Sequence, residues 1–267
     1  MRDTPILESN QELTSGLERE GLWQRHESLR LHLGCGENYF PEYVNIDYPP
    51  DKHNVMLVKA DLFADITQLL INANTVDEIR LHHVFEHFNR VTALAMLIKW
   101  QMALKPGGKL HIETPDVEGC AQNLLADTTW EVKMAAIRHL AGDQAGSWAY
   151  HVDHWFPARF HHTLTELGFV NVETRTSRWD ASPFIPNVHA IAYKGASATQ
   201  EQLLSIADKL LWESTLSPAE APTYEVWRTQ LRASLKQPNL EDSASNTTMQ
   251  NALQTFSFDL DPSKLLL

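Results

Sequence analysis

Cysteine is scarce in this sequence. Cys35 and Cys120 are the only two, and their spacing builds neither a disulfide framework nor a zinc ribbon, so a reducing, cytoplasmic setting is expected. Long apolar runs are missing as well. No stretch approaches the roughly 20 residues that cross a bilayer, and the opening "MRDTPILESNQELTSG" has no basic start, apolar core or small-residue cleavage site. A soluble, unexported protein without a membrane span is expected. Positive charge is also in deficit. Lys and Arg number 22 against 34 Asp and Glu, for a formal net charge of −12, and no basic cluster interrupts that balance. A nucleic-acid partner would be gripped against the field of the whole molecule, so none is expected.

Apolar content, in contrast, is ample. At 43% hydrophobic over 267 residues, the chain can fill one large core and a smaller appendage. Residues 8–28 read as a polar helix with Leu13, Leu17 and Trp23 on one side. From Leu29 the pattern becomes short apolar runs separated by connections: "LRLHLG" (29–34), "YVNID" (43–47), "VMLVKADL" (55–62), "EIRLHHV" (78–84) and "GKLHIETP" (108–115). Strands alternating with crossovers predict a parallel sheet covered on both faces. A helix is expected over 90–104, stopped by "KPGG", then helical sequence from an Asp116 cap to about Leu140, broken near "ADTT". The aperiodic "AGDQAGSWAYHVDHWFP" (141–157) reads as a covering loop. A helix from Pro157 ending before Gly168 follows, then two antiparallel strands (170–178, 187–195) linked by a loop holding Pro183 and Pro186. The composition shifts after Gly195. Two amphipathic helices (198–214, 222–237) and a linker-like stretch (239–253) follow. The expected organisation is an N-terminal helical segment 1–28, a main domain 29–195, and a helical extension and tail 196–267.

The turn "LGCGENYFPEYVNID" carries the chemistry. Gly34 and Gly36 allow close backbone approach to a ligand at the carboxyl edge of the first strand, and Asp47 ends the second strand where a carboxylate can accept both hydroxyl hydrogens of a ribose. A dinucleotide fits poorly, since Tyr39 stands at the third glycine position of G-x-G-x-x-G. Asp61, read as ending a third strand, can accept the exocyclic amine of an adenine, with Leu62 supplying its backbone amide.

Together "LHLGCGENYFPEYVNIDYPP", "KADL", "HHVFEHF", "ALKPGGKLHIETPD" and "HTLTELGF", in that order over residues 29–195, resemble the class I S-adenosylmethionine-dependent methyltransferases, in particular the group whose first motif reads "LGCG....GYVN.D". The resemblance implies an α/β fold of the Rossmann-like methyltransferase type, a seven-stranded, mostly parallel sheet with the last strand pair antiparallel, followed by the helical extension. It implies S-adenosylmethionine as cofactor. Gly34, Cys35 and Gly36 would line its methionine part, Asp47 the ribose, Asp61 and Leu62 the adenine, and His82 or His83 the pocket edge. Glu42 departs from the glycine usual in the group, and the ten residues between Gly36 and Asp47 leave a shortened first crossover.

Methyl transfer demands alignment of acceptor, methyl and sulfur and exclusion of water. A hydroxyl acceptor also needs a base, and histidine suits that task. His87, at the ligand edge after the fourth strand, and His151 and His154, in the covering loop, are the candidates. Plainer readings compete. Glu86 and His87 can serve a helix start and a neighbouring loop, and His151 and His154 can belong to a loop clamp with Asp153 and Trp155. His161 and His162 read as surface or packing residues. The expected site holds no metal. An alternative places one on His83, Glu86 and His87, spaced i, i+3, i+4, as in methyltransferases whose E-x-x-E-H element holds magnesium beside the acceptor; two imidazoles would favour zinc or manganese here. Relatives in the motif group often act on sugars or envelope glycans, so O-methylation of a glycan or small metabolite is the leading expectation. The rival is a non-catalytic protein partner of the same fold, docking through Trp212, Tyr224 and Trp227 of the extension.

Overall fold

Seven strands assemble into one sheet in the order β3-β2-β1-β4-β5-β7-β6. The strands are β1 (Arg30–Leu33), β2 (Val44–Asp47), β3 (Leu62–Phe63), β4 (Val76–His82), β5 (Leu104–Pro115), β6 (Phe169–Trp179) and β7 (Ser182–Lys194). This is a computed structural model, and it describes residues 4–9, 11–49, 57–146, 148–180 and 182–236. β1 to β5 run parallel, whereas β7 is antiparallel to both β5 and β6. Every residue of β2 and all but the first of β1 are buried, as a sheet covered on both faces requires. Because β1 lies between β2 and β4, the chain leaves β1 in one direction and returns on its other side after β3. Open α/β sheets bind ligands in the crevice beyond the carboxyl ends at such a reversal.

The helices are α1 (Leu13–Glu20), α2 (Arg90–Ala103), α3 (Val117–Leu125), α4 (Trp130–Ala141), α5 (Pro157–Glu166), α6 (Gln200–Glu213) and α7 (Ala221–Leu235). Their ends follow local chemistry. Asn89 caps α2, with its side chain accepting from Val91 and Thr92 N–H. Asp116 caps α3 by accepting from Glu118 N–H, and Thr199 with Gln202 forms a reciprocal capping box on α6. Met1–Leu235 is one compact unit, and the boundary expected near 195 falls inside it. Leu203, Ala207, Leu211 and Leu231 of α6 and α7 share one apolar core with α2 and the sheet. In the second unit, Lys236–Leu267, only Lys236 is described; the linker expected over 239–253 lies outside the described residues.

Four boundaries differ from expectation. The first helix is short, capped by the Glu12 side chain and closed by Gly21 in the left-handed region at φ 71°. β3 is two residues long, so Asp61 precedes the strand instead of ending it. β5 begins at Leu104, and "KPGG" is absorbed as a bulge where the register jumps from Val76↔Leu104 to Glu78↔Lys109. β7 begins at Ser182, so Pro183 and Pro186 lie inside it and not in a loop. Prolines are tolerated there because the β5 ladder starts only at Asn187, leaving the first part of β7 paired on one side.

Candidate active site

The glycine turn is built by backbone bonds to β2. Gly34 N–H and Cys35 N–H both donate to Ile46 O, at 2.8 and 3.2 Å, and Gly34 and Gly36 have φ of 69° and 52°. A Cβ on Gly34 would sit 2.3 Å from Val84 Cγ2. The space left by this glycine is thus filled by β4's continuation, which brings the turn against the residue following His83. Gly36 N–H donates to Asp47 Oδ2 and Tyr48 N–H to Asp47 Oδ1, each at 2.6 Å. The carboxylate at the end of β2 is therefore bonded to the turn. Cys35 is buried and its thiol donates to Lys59 O at 3.4 Å. Burial, with the Asp47 charge beside it, pushes that thiol's pKa well up, so it is no nucleophile.

Asp61 is tied elsewhere. It lies level with Asn45, one residue short of the β2 pair that starts β3. Its carboxylate accepts from Asn45 N–H at 2.8 Å, Asn45 Nδ2 at 3.0 Å and the Tyr39 hydroxyl at 2.9 Å. Leu62 is a buried strand residue paired with Ile46. The placement of both at the carboxyl end of a third strand is therefore corrected. The short β3 leaves Leu62 one pair and Asp61 two pairs below the edge on which Asp47 stands.

The histidines gather around two carboxylates. His83 takes φ 55°, a conformation rare for a residue with a Cβ, and its N–H donates to Glu113 O. A 3-10 turn, Phe85–His87, follows. Phe85 is buried against Trp100, Trp155 and Phe160, and this fixes Glu86, only 1% exposed, on the inner side. His83 bridges two acids, with Nδ1 3.2 Å from Glu86 Oε1 and Nε2 3.7 Å from Glu113 Oε1. Burial alone would depress the pKa of His83, but the Glu113 and Glu86 carboxylates on either side of it outweigh that and raise it to about 9. Burial likewise works against charge on Glu113, yet the His82 bond and the neighbouring His83 ring hold its carboxyl well below the ordinary range. His82 Nε2 and His189 Nδ1 reach Glu113 Oε2 at 3.0 and 3.3 Å, and His189 Nε2 meets Ser177 Oγ at 2.8 Å.

On the other side of Glu86 lies the covering loop. Val152 N–H and Asp153 N–H donate to Glu86 O at 2.9 and 3.2 Å. His151 Nε2 stands 3.9 Å from Glu86 Oε1, and the His87 and His151 rings meet edge to face at 4.7 Å. Burial lowers the pKa of His151. The structure thus brings His82, His83, His87 and His151 together and leaves His154 apart, exposed on the loop. A clamp holds the loop through Asp153 and Trp155, but its third member is Arg159 in place of the expected His151 and His154 side chains. Arg159 pairs with both oxygens of Asp153 at 2.7 and 2.8 Å and lies 3.9 Å over the Trp155 ring.

The sheet order and the single reversed strand, β7, give a Rossmann-like methyltransferase fold. No family model matches the sequence, and no curated protein matches it. Solved structures do resemble it. A SAM-dependent methyltransferase of Archaeoglobus fulgidus superposes with a TM-score of 0.46 at 16% identity, over 68% of this chain and 93% of that one. One from Methanosarcina mazei gives 0.45 at 14%, over 67% and 98%. One from Mesorhizobium loti gives 0.41 at 14%, over 67% and 96%.

Sequence reasoning missed Glu113, His139 and His189. Glu113 had a signal, a lone carboxylate in the apolar run "LHIETP" at a strand's ligand end, where an acid is buried only with partners. His139 and His189 had none, because a helix and an antiparallel strand deliver them from far along the chain. Beyond the end of β5 a cavity of about 460 Å³ is lined by Asp116, Glu118, Gln122, Thr176, Ser177 and Arg178; through Ser177 it adjoins the His189–Glu113 pair.

Proposed function

We propose that the chain is an S-adenosylmethionine-dependent methyltransferase acting on a hydroxyl of a glycan or small polyhydroxylated metabolite. The observation that carries this reading is the arrangement at the sheet reversal, where the glycine turn of β1 is bonded to Asp47 of β2 and packed against Val84, next to the Glu86–Glu113 histidine cluster. The residues fit a nucleoside. Two positive-φ glycines flanking Cys35 bring bare backbone to the edge, and a carboxylate stands at the end of the neighbouring strand. Gly34, Cys35 and Gly36 would follow the methionine part, Asp47 the ribose, and His82 and His83 the pocket edge. Asp61 and Leu62 keep the adenine side, with the Tyr39 hydroxyl, now on Asp61, giving way to the base.

When bound, S-adenosylmethionine supplies an electrophilic methyl group on sulfur. The chain's own residues position the acceptor, exclude water and take the acceptor's proton. His87 Nδ1 lies 3.0 Å from Tyr150 O and His151 Nδ1 2.8 Å from His139 O. A carbonyl only accepts, so each Nδ1 carries a hydrogen and each Nε2 is left with a lone pair in the neutral ring. His154, in the same loop, is the third candidate base. The polar cavity beside Ser177 suits a hydroxylated acceptor.

A second reading, a non-catalytic partner docking through residues 196–267, draws on the exposure of Trp212, Leu216 and Val226. It requires cofactor binding without turnover of any acceptor. The cofactor assignment is tested at Asp47. Asp47→Ala is expected to weaken S-adenosylmethionine binding by about 1–3 kcal/mol in calorimetry, because the ribose hydroxyls lose a charged acceptor; unchanged affinity would remove Asp47 from the site.

A further inference from the structure

Glu86, His87 and His151 each bring one donor atom within 4.8 Å of the others. The bonds they already make bear on which atoms are left to bind an ion. Both histidines commit Nδ1–H to backbone carbonyls, of Tyr150 and His139, which is how a metal-bound imidazole is usually held by its outer partner. The Glu86 side chain is 2% exposed, its Oε1 takes His83 Nδ1, and its Oε2 is buried with no hydrogen-bond partner among the described residues. Such a buried oxygen calls for a missing partner. The facing His151 Nε2 is 3.9 Å from Glu86 Oε1, too long for a hydrogen bond. The loop is also bolted in place, since Val152 and Asp153 N–H both donate to Glu86 O.

We propose that Glu86, His87 and His151 form a binding site for a divalent transition-metal ion of the zinc class. Two imidazoles and one carboxylate are a nitrogen-rich, borderline set that selects Zn²⁺ or Co²⁺ over Mg²⁺ and Ca²⁺, and three protein ligands leave a further position for a substrate oxygen. Ligands about 2.1 Å from one tetrahedral ion lie roughly 3.4 Å apart, so the donors close by about 1 Å on binding. His87, half-buried at the rim, has room to move. The neighbouring set of His82, His83 and Glu113 also falls within 4.8 Å, but Glu113 Oε2 is already engaged by His82 and His189. As metal chemistry the site stands without the methyl-transfer reading; its role in turnover rests on that reading. A hydroxyl on the ion would be acidified; with the ion bound, His87 and His151 would act as ligands, leaving His154 of the three candidate bases to take its proton.

The full chain, stripped with a chelator, is titrated with Zn²⁺ in a calorimeter and with Co²⁺ by visible absorption. One ion per chain is expected, with the strong visible bands of a four- or five-coordinate cobalt. His151→Gln and Glu86→Gln should each weaken binding by about 100-fold, and His87→Gln by at least about tenfold, while His82→Gln changes it by less than about threefold. Because Glu86 is buried and its variant can fail to fold, the two histidine variants, with melts followed by circular dichroism, keep the result decisive. Absence of stoichiometric binding to the native chain overturns the proposal. So does binding that His82→Gln abolishes and His151→Gln spares. Titrating the same stripped protein with S-adenosylmethionine separates the two readings: metal bound without cofactor sinks the methyl-transfer reading alone, and cofactor bound without metal sinks this one alone.

Discussion

His32 is wholly buried on β1, where its Nδ1–H is donated to Asn45 Oδ1 at 3.1 Å. Asn45 in turn holds the crossover to β2, accepting from Phe40 N–H and donating to Phe40 O and Tyr43 O. Burial is the main cause that lowers the pKa of His32, to about 4. A folded-state pKa below the unfolded value of about 6.5 means that the unfolded chain binds the extra proton. The stability this residue contributes is therefore complete above about pH 6.5 and is lost as pH falls toward about 4. Replacing it with a residue of no charge in either state should remove that part of the acid sensitivity. Between about pH 7 and about pH 5, urea unfolding should show the native chain losing on the order of 2 kcal/mol more than His32→Gln; parallel losses would mean that His32 titrates alike in both states. Buried histidines of this kind were hard to read. The groups at 82–87 and 151–154 stood out because they cluster in sequence, whereas His32, His111, His139 and His189 are single residues in apolar runs, and only the packed sheet shows that two of them serve the core and two approach the Glu113 and Glu86 network.

At the scale of elements, the loop between α4 and α5 is the piece that closes the site, and its order depends on few bonds. Asp153, 7% exposed, takes the Arg159 guanidinium through both oxygens, and that guanidinium lies on Trp155, which pairs in turn with Asp116 at the end of β5. Asp153→Asn loses the charged bidentate pair and should cost about 1–3 kcal/mol. Hydrogen exchange should then show the amides of Val152 and Asp153, which bond Glu86 O, opening faster, and His151 losing its place opposite Glu86. Unaltered exchange at those two amides would show that the Glu86 carbonyl alone holds the loop. The helix that follows was legible because Pro157 and Gly168 punctuate it. The clamp was only half legible, since Arg159 sits across a helix start from Asp153 and nothing local links them. "KPGG" misled for a related reason. Glycine and proline mark a break in a helix equally well whether a loop or a bulged strand follows, and the pairing of β4 with β5 decided which.

Across the whole molecule, the question is what covers α2. Its sequence "RVTALAMLIKWQMA" is apolar nearly all round, and Val91, Leu94, Met96, Leu97, Ile98 and Trp100 are all buried. A helix of that kind needs cover on more than one side. The sheet supplies one side, and α6 and α7 pack along another, with Arg90 placed over the Trp227 ring at 4.8 Å and Gln101 Nε2 donating to Ala196 O. The composition shift after Gly195 suggested a removable appendage, because amphipathic helices joined by polar turns look alike whether they dock on a core or stand apart. Leu203, Leu210, Leu211, Leu231 and Leu235 are buried in the common core. At about 2 kcal/mol each for burial, five leucines approach the roughly 5–15 kcal/mol that stabilises an entire domain. A chain ending at Gly195 is therefore expected to lose its cooperative thermal transition in circular dichroism and to aggregate on size exclusion. If the shorter chain melts cooperatively within a few degrees of the full chain, about what 1 kcal/mol would move the midpoint, then α2 carries its own cover and α6 and α7 are an appendage after all.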